Sequence, residues 1–277
     1  MNPSPSPSPS PVADPYLDFK AAQRAGWSAF GPLATFTTPS AARLVRLAGV
    51  KSGQRVLDVA CGTGVVAITA ARVGAKVTGS DLTPELLAQA RENATIAGLD
   101  IESQEADVEH LPFEDRAFDV VLSQFGHIFA PRPIIAIHEM LRVLKPGGTI
   151  AFTTWPPEHF VGRSMALTAR YLPPPPEGVA PPPQWGDATV VRERLGSLVR
   201  DLMFDRDVML VPALSPQHAR WVVERSAGPI ARLVQTLSQS DPAKLDSWRR
   251  EYDALAAEYI EMNTVRQSYL MSRAIKA

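Results

Sequence analysis

Residues 57–64 read LDVACGTG. The apolar run before the glycines, Arg55 to Ala60, has the length and β-branched content of a short buried strand. Gly62 and Gly64 form a Gly-x-Gly turn, and VVAITAARV at 65–73 has the spacing of a helix leaving it. Glycine lets a ligand approach the backbone with no Cβ in the way. The helix that follows offers unpaired N–H groups and the positive end of its dipole. The run therefore predicts a nucleotide-like cofactor on the carboxyl edge of a parallel sheet. The competing reading is a structural strand-to-helix turn with a surface aspartate.

Asp58 stands four positions before the first glycine and discriminates between cofactors. A dinucleotide would lay its pyrophosphate over this turn, against a carboxylate of like charge. S-adenosylmethionine carries a sulfonium and an ammonium there, and Asp58 attracts both. The turn as a whole, Asp58, Ala60, Gly62, Thr63 and Gly64, is assigned to the cofactor.

Working outward, strand and helix patterns alternate from residue 51 to residue 155. AKVTGSD (75–81) reads as a second strand, ending in Asp81. Thr83 and Pro84 open the next helix as N-cap and first helical residue, and Gly98 closes it. IESQEAD (101–107) is a third strand, polar enough for a sheet edge. FDVVLSQ (118–124) is a fourth, apolar enough for burial on both faces. PIIAIHEMLRVL carries a helical stripe that KPGG (145–148) stops, and TIAFTTW (149–155) is a fifth strand. Such alternation specifies a doubly wound parallel α/β sheet. Residues 201–211 suggest a sixth strand, two or three helices follow over 215–262, and SYLMSRAIK (268–276) reads as the last strand.

The flanks differ in character. Residues 1–13 are a Pro/Ser tract that cannot bury apolar surface and is expected to be a disordered tail. Residues 14–50 form a helical arm rich in aromatic residues, a candidate lid through Trp27 and Phe30. Residues 51–155 are the cofactor-binding core. Residues 156–265 hold a Pro-rich insertion over the carboxyl edge and the C-terminal helices. Residues 266–277 supply the strand that completes the sheet.

Composition narrows the function. The chain has 277 residues, 45% of them hydrophobic, and a net charge of -1. No run of Lys or Arg supplies the electrostatic footprint of a nucleic-acid binder. A nucleic-acid methyltransferase would need a basic face. The single cysteine, Cys61, excludes an intramolecular disulfide framework and a multi-cysteine metal site. No segment reaches the roughly 18 apolar residues of a membrane helix, and no secretory signal is visible. A cytoplasmic protein, monomeric or homodimeric, acting on a small molecule without a metal is the expectation.

Further residues follow from position in the sheet. Asp81, 17 residues after Gly64, is placed to accept the ribose hydroxyls of an adenosyl group, or to cap the next helix. Asp107 would accept the exocyclic amine of adenine, with Val108 or Leu82 over the ring. SQFGH (123–127) follows the fourth strand at the switch point where cofactor and acceptor meet. His127 is the general-base candidate, since an ordinary histidine pKa near 6.5 suits that task. A helix cap or pocket wall is its alternative. Phe125 and Trp155 suggest an apolar or aromatic acceptor pocket, with Tyr171 and Trp185 as further contributors.

LDVACGTG, Asp81, EADVEHLPF, FDVVLSQFG and LKPGG, in this order and spacing, resemble class I S-adenosylmethionine-dependent methyltransferases. The type 11 group, which includes the ubiquinone and menaquinone biosynthesis methyltransferases, looks most similar. The resemblance covers about residues 40–155. It implies cofactor roles for Asp58, Gly62, Gly64, Asp81, Leu82, Asp107, Val108 and Ser123. It also implies a Rossmann-like, seven-stranded sheet, mostly parallel with an antiparallel last strand. Ala60 stands where many members carry glycine. SQFG replaces the Asn/Asp-Pro-Pro-aromatic motif of amino-methylating DNA enzymes. The expected activity is in-line transfer of a methyl group to a small acceptor, leaving S-adenosylhomocysteine. The rival classes are a non-catalytic S-adenosylmethionine-binding protein and an NAD-dependent oxidoreductase.

Overall fold

A computed structural model of the chain describes residues 14–277; the Pro/Ser tract lies outside the described residues. The arm holds α1 (Leu17–Trp27), α2 (Gly31–Ala34) and α3 (Thr38–Ala48). The core then alternates β1 (Arg55–Val59), α4 (Val65–Arg72), β2 (Lys76–Asp81), α5 (Pro84–Ile96), β3 (Glu102–Glu105), β4 (Phe118–Gln124), α6 (Pro133–Val143) and β5 (Leu144–Thr154). After β5 come α7 (Phe160–Ala169), α8 (Ala188–Leu195), β6 (Val199–Pro212), α9 (Pro216–Ser226), α10 (Gly228–Ser240), α11 (Pro242–Ala257), β7 (Ile260–Glu261) and β8 (Thr264–Lys276).

The main path of the sheet runs β3-β2-β1-β4-β5-β8-β6, and the short β7 pairs with β8. Pairs from β3 to β5 are parallel, and β8 is antiparallel to both β5 and β6. β1 is covered on both faces, which is why RVLDV shows no polar alternation apart from Asp58. β3, the polar strand, is an edge, as its composition requires.

Two apolar layers flank the sheet. Leu57, Val121, Ile137, Phe152 and Met271 belong to one. Leu44, Val56, Ala67, Val77 and Leu122 belong to the other. Val56 and Leu57 fall on opposite sides because strand side chains alternate. A third cluster, with Phe160, Leu233, Trp248 and Tyr252, is the core of a helical cap built from α7, α9, α10 and α11.

Several boundaries differ from the sequence reading, among them the start of β8 at Thr264. β5 begins at Leu144 and absorbs KPGG, because Phe118 pairs with Leu144 before a register shift. Residues 156–265 contain β6, which is part of the core sheet rather than of the cap. β6 is longer than residues 201–211 because β8 pairs with it from Val199 to Pro212. Beyond Thr154, β6 and β8 continue as a ribbon, so Asp207 faces Tyr269 past the end of β5. Among the described residues no helix is long and apolar enough to cross a membrane.

Candidate active site

The carboxyl ends of β1, β2 and β4 converge where the order of the sheet reverses. Asp58, 1% exposed, points from β1 towards the following turn. Its Oδ2 accepts the Ala67 N–H at 2.9 Å. Its Oδ1 is buried and accepts nothing among the described residues. Burial pushes the carboxyl up to about 8, against the Ala67 bond and with help from the nearby Asp81 charge. A buried carboxylate oxygen without a donor is a place for a ligand's cationic N–H group.

The turn gives that ligand room. Gly62 has φ +55°, and a Cβ there would meet nothing within 4 Å. Gly64 has φ +81°, and its Cβ would press against Ala90 Cβ at 3.2 Å. Ala60 also sits at positive φ, 53°, which explains why glycine suits this position in similar sequences. Gly126, after β4, is the tight partner: a Cβ there would lie 2.5 Å from Ala60 Cβ. Thr63 is buried, and its carbonyl accepts from Asn93 Nδ2. Cys61 is half-buried, its Sγ would lie 3.0 Å from a Cβ at Gly79, and desolvation raises its thiol pKa.

Asp81 ends β2 with both oxygens engaged. Oδ2 accepts the Gly62 N–H and Oδ1 the Thr83 N–H, each at 2.8 Å. Each oxygen keeps a further lone pair for ribose hydroxyls. Burial raises its pKa, and these backbone bonds oppose the rise. The Thr83 bond ties Asp81 to the N-cap residue of α5 and not to the first turn of the helix, and Thr83 itself makes no capping bond. Asp107 accepts the Glu109 N–H on Oδ1 and lies 2.6 Å from Lys20 Nζ through Oδ2. Val108 and Leu82 are half-buried beside these ends.

Two expectations need correction. Ser123 is fully buried, with its hydroxyl donating to the Val59 carbonyl and accepting the His127 N–H. It stitches β4 to β1 instead of facing a ligand. His127 is also fully buried, and neither ring nitrogen has a partner among the described residues. It packs edge-on against Phe152 and Trp185, with centroids 4.8 and 4.9 Å away. Burial, reinforced by Arg194, holds its pKa down at about 3. A neutral, sealed imidazole of such low basicity is unsuited to general-base work. Trp185 is buried in that same layer, with the Arg194 guanidinium 4.4 Å over its ring.

Aromatic residues occupy the ends of β4 and β5. Phe125 and Trp155 stack with centroids 3.8 Å apart and an angle of 8°. Tyr269 meets Phe125 edge-on at 5.8 Å. Its hydroxyl donates to Asp207 Oδ2, which also pairs with Arg43 Nε at 2.8 Å. Gln124, the last residue of β4, donates to the Thr37 carbonyl and to Ser40 Oγ of the arm. Trp27 packs on Phe30 and Phe129 at 5.7 and 4.7 Å. A cavity of about 520 Å³ lies between the arm, α4 and α5, bordered by Gly31, Thr38, Ile68, Gln89 and Asn93; it reaches Thr63 of the turn but not Asp58, Asp81 or Asp107. Gln124, Tyr269, Asp207 and Lys20 were missed in the sequence, since each gains its place only through contacts with distant residues. The one local signal is Gly126 within SQFGH, whose steric reason lies in Ala60, 66 positions earlier in the chain.

The comparisons agree with this geometry. The methyltransferase domain family matches residues 56–148. An uncharacterised protein of Mycobacterium tuberculosis is 36% identical over 84% of this chain and 85% of its own. The aklanonic acid methyltransferase DauC of a Streptomyces is 35% identical over 60% of this chain and 80% of its own. The crystal structure of the YcgJ protein from Bacillus subtilis shares the fold, with a TM-score of 0.59 at 17% identity, over 86% of this chain and 97% of that one. Sheet order, turn geometry and these relatives together place the chain in the class I S-adenosylmethionine-dependent methyltransferases.

Proposed function

We propose that this methyltransferase transfers the methyl group of S-adenosylmethionine to a small apolar or aromatic acceptor by in-line displacement. The carrying observation is Asp58, whose Oδ1 is buried and undonated at the carboxyl end of β1, just before the turn in which Gly62 leaves open space. Asp58 would hold the ammonium, Asp81 the ribose hydroxyls, and Asp107 the 6-amino group of adenine. Val108 and Leu82 would cover the base, and Gly62, Thr63 and Gly64 would line the amino-acid end. When bound, the cofactor supplies a methyl group already activated by its sulfonium.

The protein's own contribution is then alignment. Phe125 and Trp155 would wall the acceptor, and Trp27 and Phe30 of the arm would exclude water. Positioning of this kind is worth roughly 7–11 kcal/mol of barrier. His127 is read as packing that supports the end of β4, so the acceptor must not depend on it for deprotonation. The balanced net charge of -1 favours a small acceptor over a nucleic acid.

Calorimetric titration with S-adenosylhomocysteine, with NAD as control, tests the reading. Binding of the first alone supports it, and methyl transfer to an aromatic acceptor panel completes it. Binding of NAD alone overturns it.

A further inference from the structure

The buried residue of α1 is a lysine. Lys20 is 6% exposed, yet α1 belongs to the arm and not to the core. Its Nζ lies 2.6 Å from Asp14 Oδ2, Asp107 Oδ2 and Glu109 Oε2. Arg132 completes the group, with Nη2 2.6 Å from Glu109 Oε2 and 3.3 Å from Asp14 Oδ1. Two cations thus meet three carboxylates, and Glu109 has only a 1% exposed side chain. Burying an ammonium costs several kcal/mol unless its partners are well placed. Apolar packing would dock a helix more simply, so this contact has a role beyond adhesion.

That role follows from what Lys20 touches. Asp107 is held at both oxygens, by Lys20 on Oδ2 and by the Glu109 N–H on Oδ1. Rotation of the carboxylate would break two bonds, one of them between full charges. Without Lys20, Asp107 would face Glu109 and Asp14 with Arg132 as the remaining cation, and repulsion would turn it away. We propose that Lys20 is a positioning residue for recognition of the adenine, fixing the Asp107 carboxylate in the orientation that accepts the 6-amino N–H. The proposal rests on the reading of Asp107 as the adenine partner. It also ties base recognition to the seating of the arm, which Gln23 joins through the Phe129 carbonyl and Arg24 through Glu105.

A ligand-by-mutation cycle tests this. The ligands are S-adenosylhomocysteine and its 6-deamino analogue, in which purine replaces adenine. The proteins are wild type, Lys20→Met and Lys20→Arg, titrated by calorimetry. Wild type should favour the amino ligand by about tenfold, the scale of a hydrogen bond to a charged group. Lys20→Met should lose about tenfold for S-adenosylhomocysteine and less than twofold for the deamino analogue. Lys20→Arg should recover most of the preference. Equal losses for both ligands would make Lys20 a mere anchor of the arm and overturn the proposal, as would no loss for either. Lys20→Gln carries the same comparison should the methionine variant fail to fold. If wild type binds neither ligand, the cofactor reading fails instead.

Discussion

At the scale of single residues, Asp58 sets a pH dependence. Its carboxyl titrates at about 8 in the free protein. An ammonium beside it would favour the ionised form, so binding below pH 8 must release a proton. Affinity for S-adenosylhomocysteine should therefore rise by up to about tenfold per pH unit below 8 and fall again where the ligand's own ammonium loses its proton. Calorimetry in buffers of different ionisation enthalpy reads the released proton directly, and its absence would separate Asp58 from the ligand's cation. Asp81→Ala removes the acceptor of the Gly62 and Thr83 N–H groups as well as the proposed ribose partner. Cofactor affinity should fall by roughly 10- to 100-fold, because a charged hydrogen bond contributes about 1.5–3 kcal/mol. His127→Phe should leave turnover within about threefold of wild type, since the ring is sealed between Phe152 and Trp185. A loss of two orders of magnitude in turnover, with cofactor affinity intact, would restore His127 as a base.

At the scale of elements, the switch point depends on two turns that meet. The turn after β1 carries Ala60 and the turn after β4 carries Gly126, and they approach too closely for a second Cβ. Gly126→Ala should cost about 1–3 kcal/mol as overpacking and lower the urea midpoint. Cofactor affinity should fall with it, because the displaced turn is the one that Asp58 and Gly62 belong to. The core elements were legible because their patterns are local. FDVVLSQ matches β4 residue for residue, and the Gly98 cap and Pro84 start frame α5 closely. KPGG was misleading, because its turn chemistry was read without the β4 register that draws Leu144 into β5.

At the scale of the whole molecule, the arm and cap meet above the sheet. Gly26 of α1 and Gly228 of α10 touch backbone to backbone, where a Cβ on Gly228 would lie 2.9 Å from the Gly26 carbonyl carbon. The cap has its own core around Trp248, which is fully buried against Tyr252 with rings 5.2 Å apart. Trp248→Ala should cost about 3–5 kcal/mol, read as a shift in the denaturation midpoint. If the cap unfolds apart from the sheet, the transition should split in two, and S-adenosylhomocysteine should stabilise mainly the later step.

The sequence by itself determined the order of strands and helices and put the glycine turn and the acidic residues at the strand ends. Alternating strands and helices, the glycine turn and the acidic residues closing β1 and β2 act over short spans, so their spacing carries their meaning. Only the tertiary structure decided what surrounds them. It sealed His127 and Ser123 inside, and it brought Lys20 across 87 residues of chain to Asp107. It also set Tyr269 on Asp207 beyond the end of β5. Burial and long-range charge pairing depend on which distant segments pack together, and no local pattern encodes that choice.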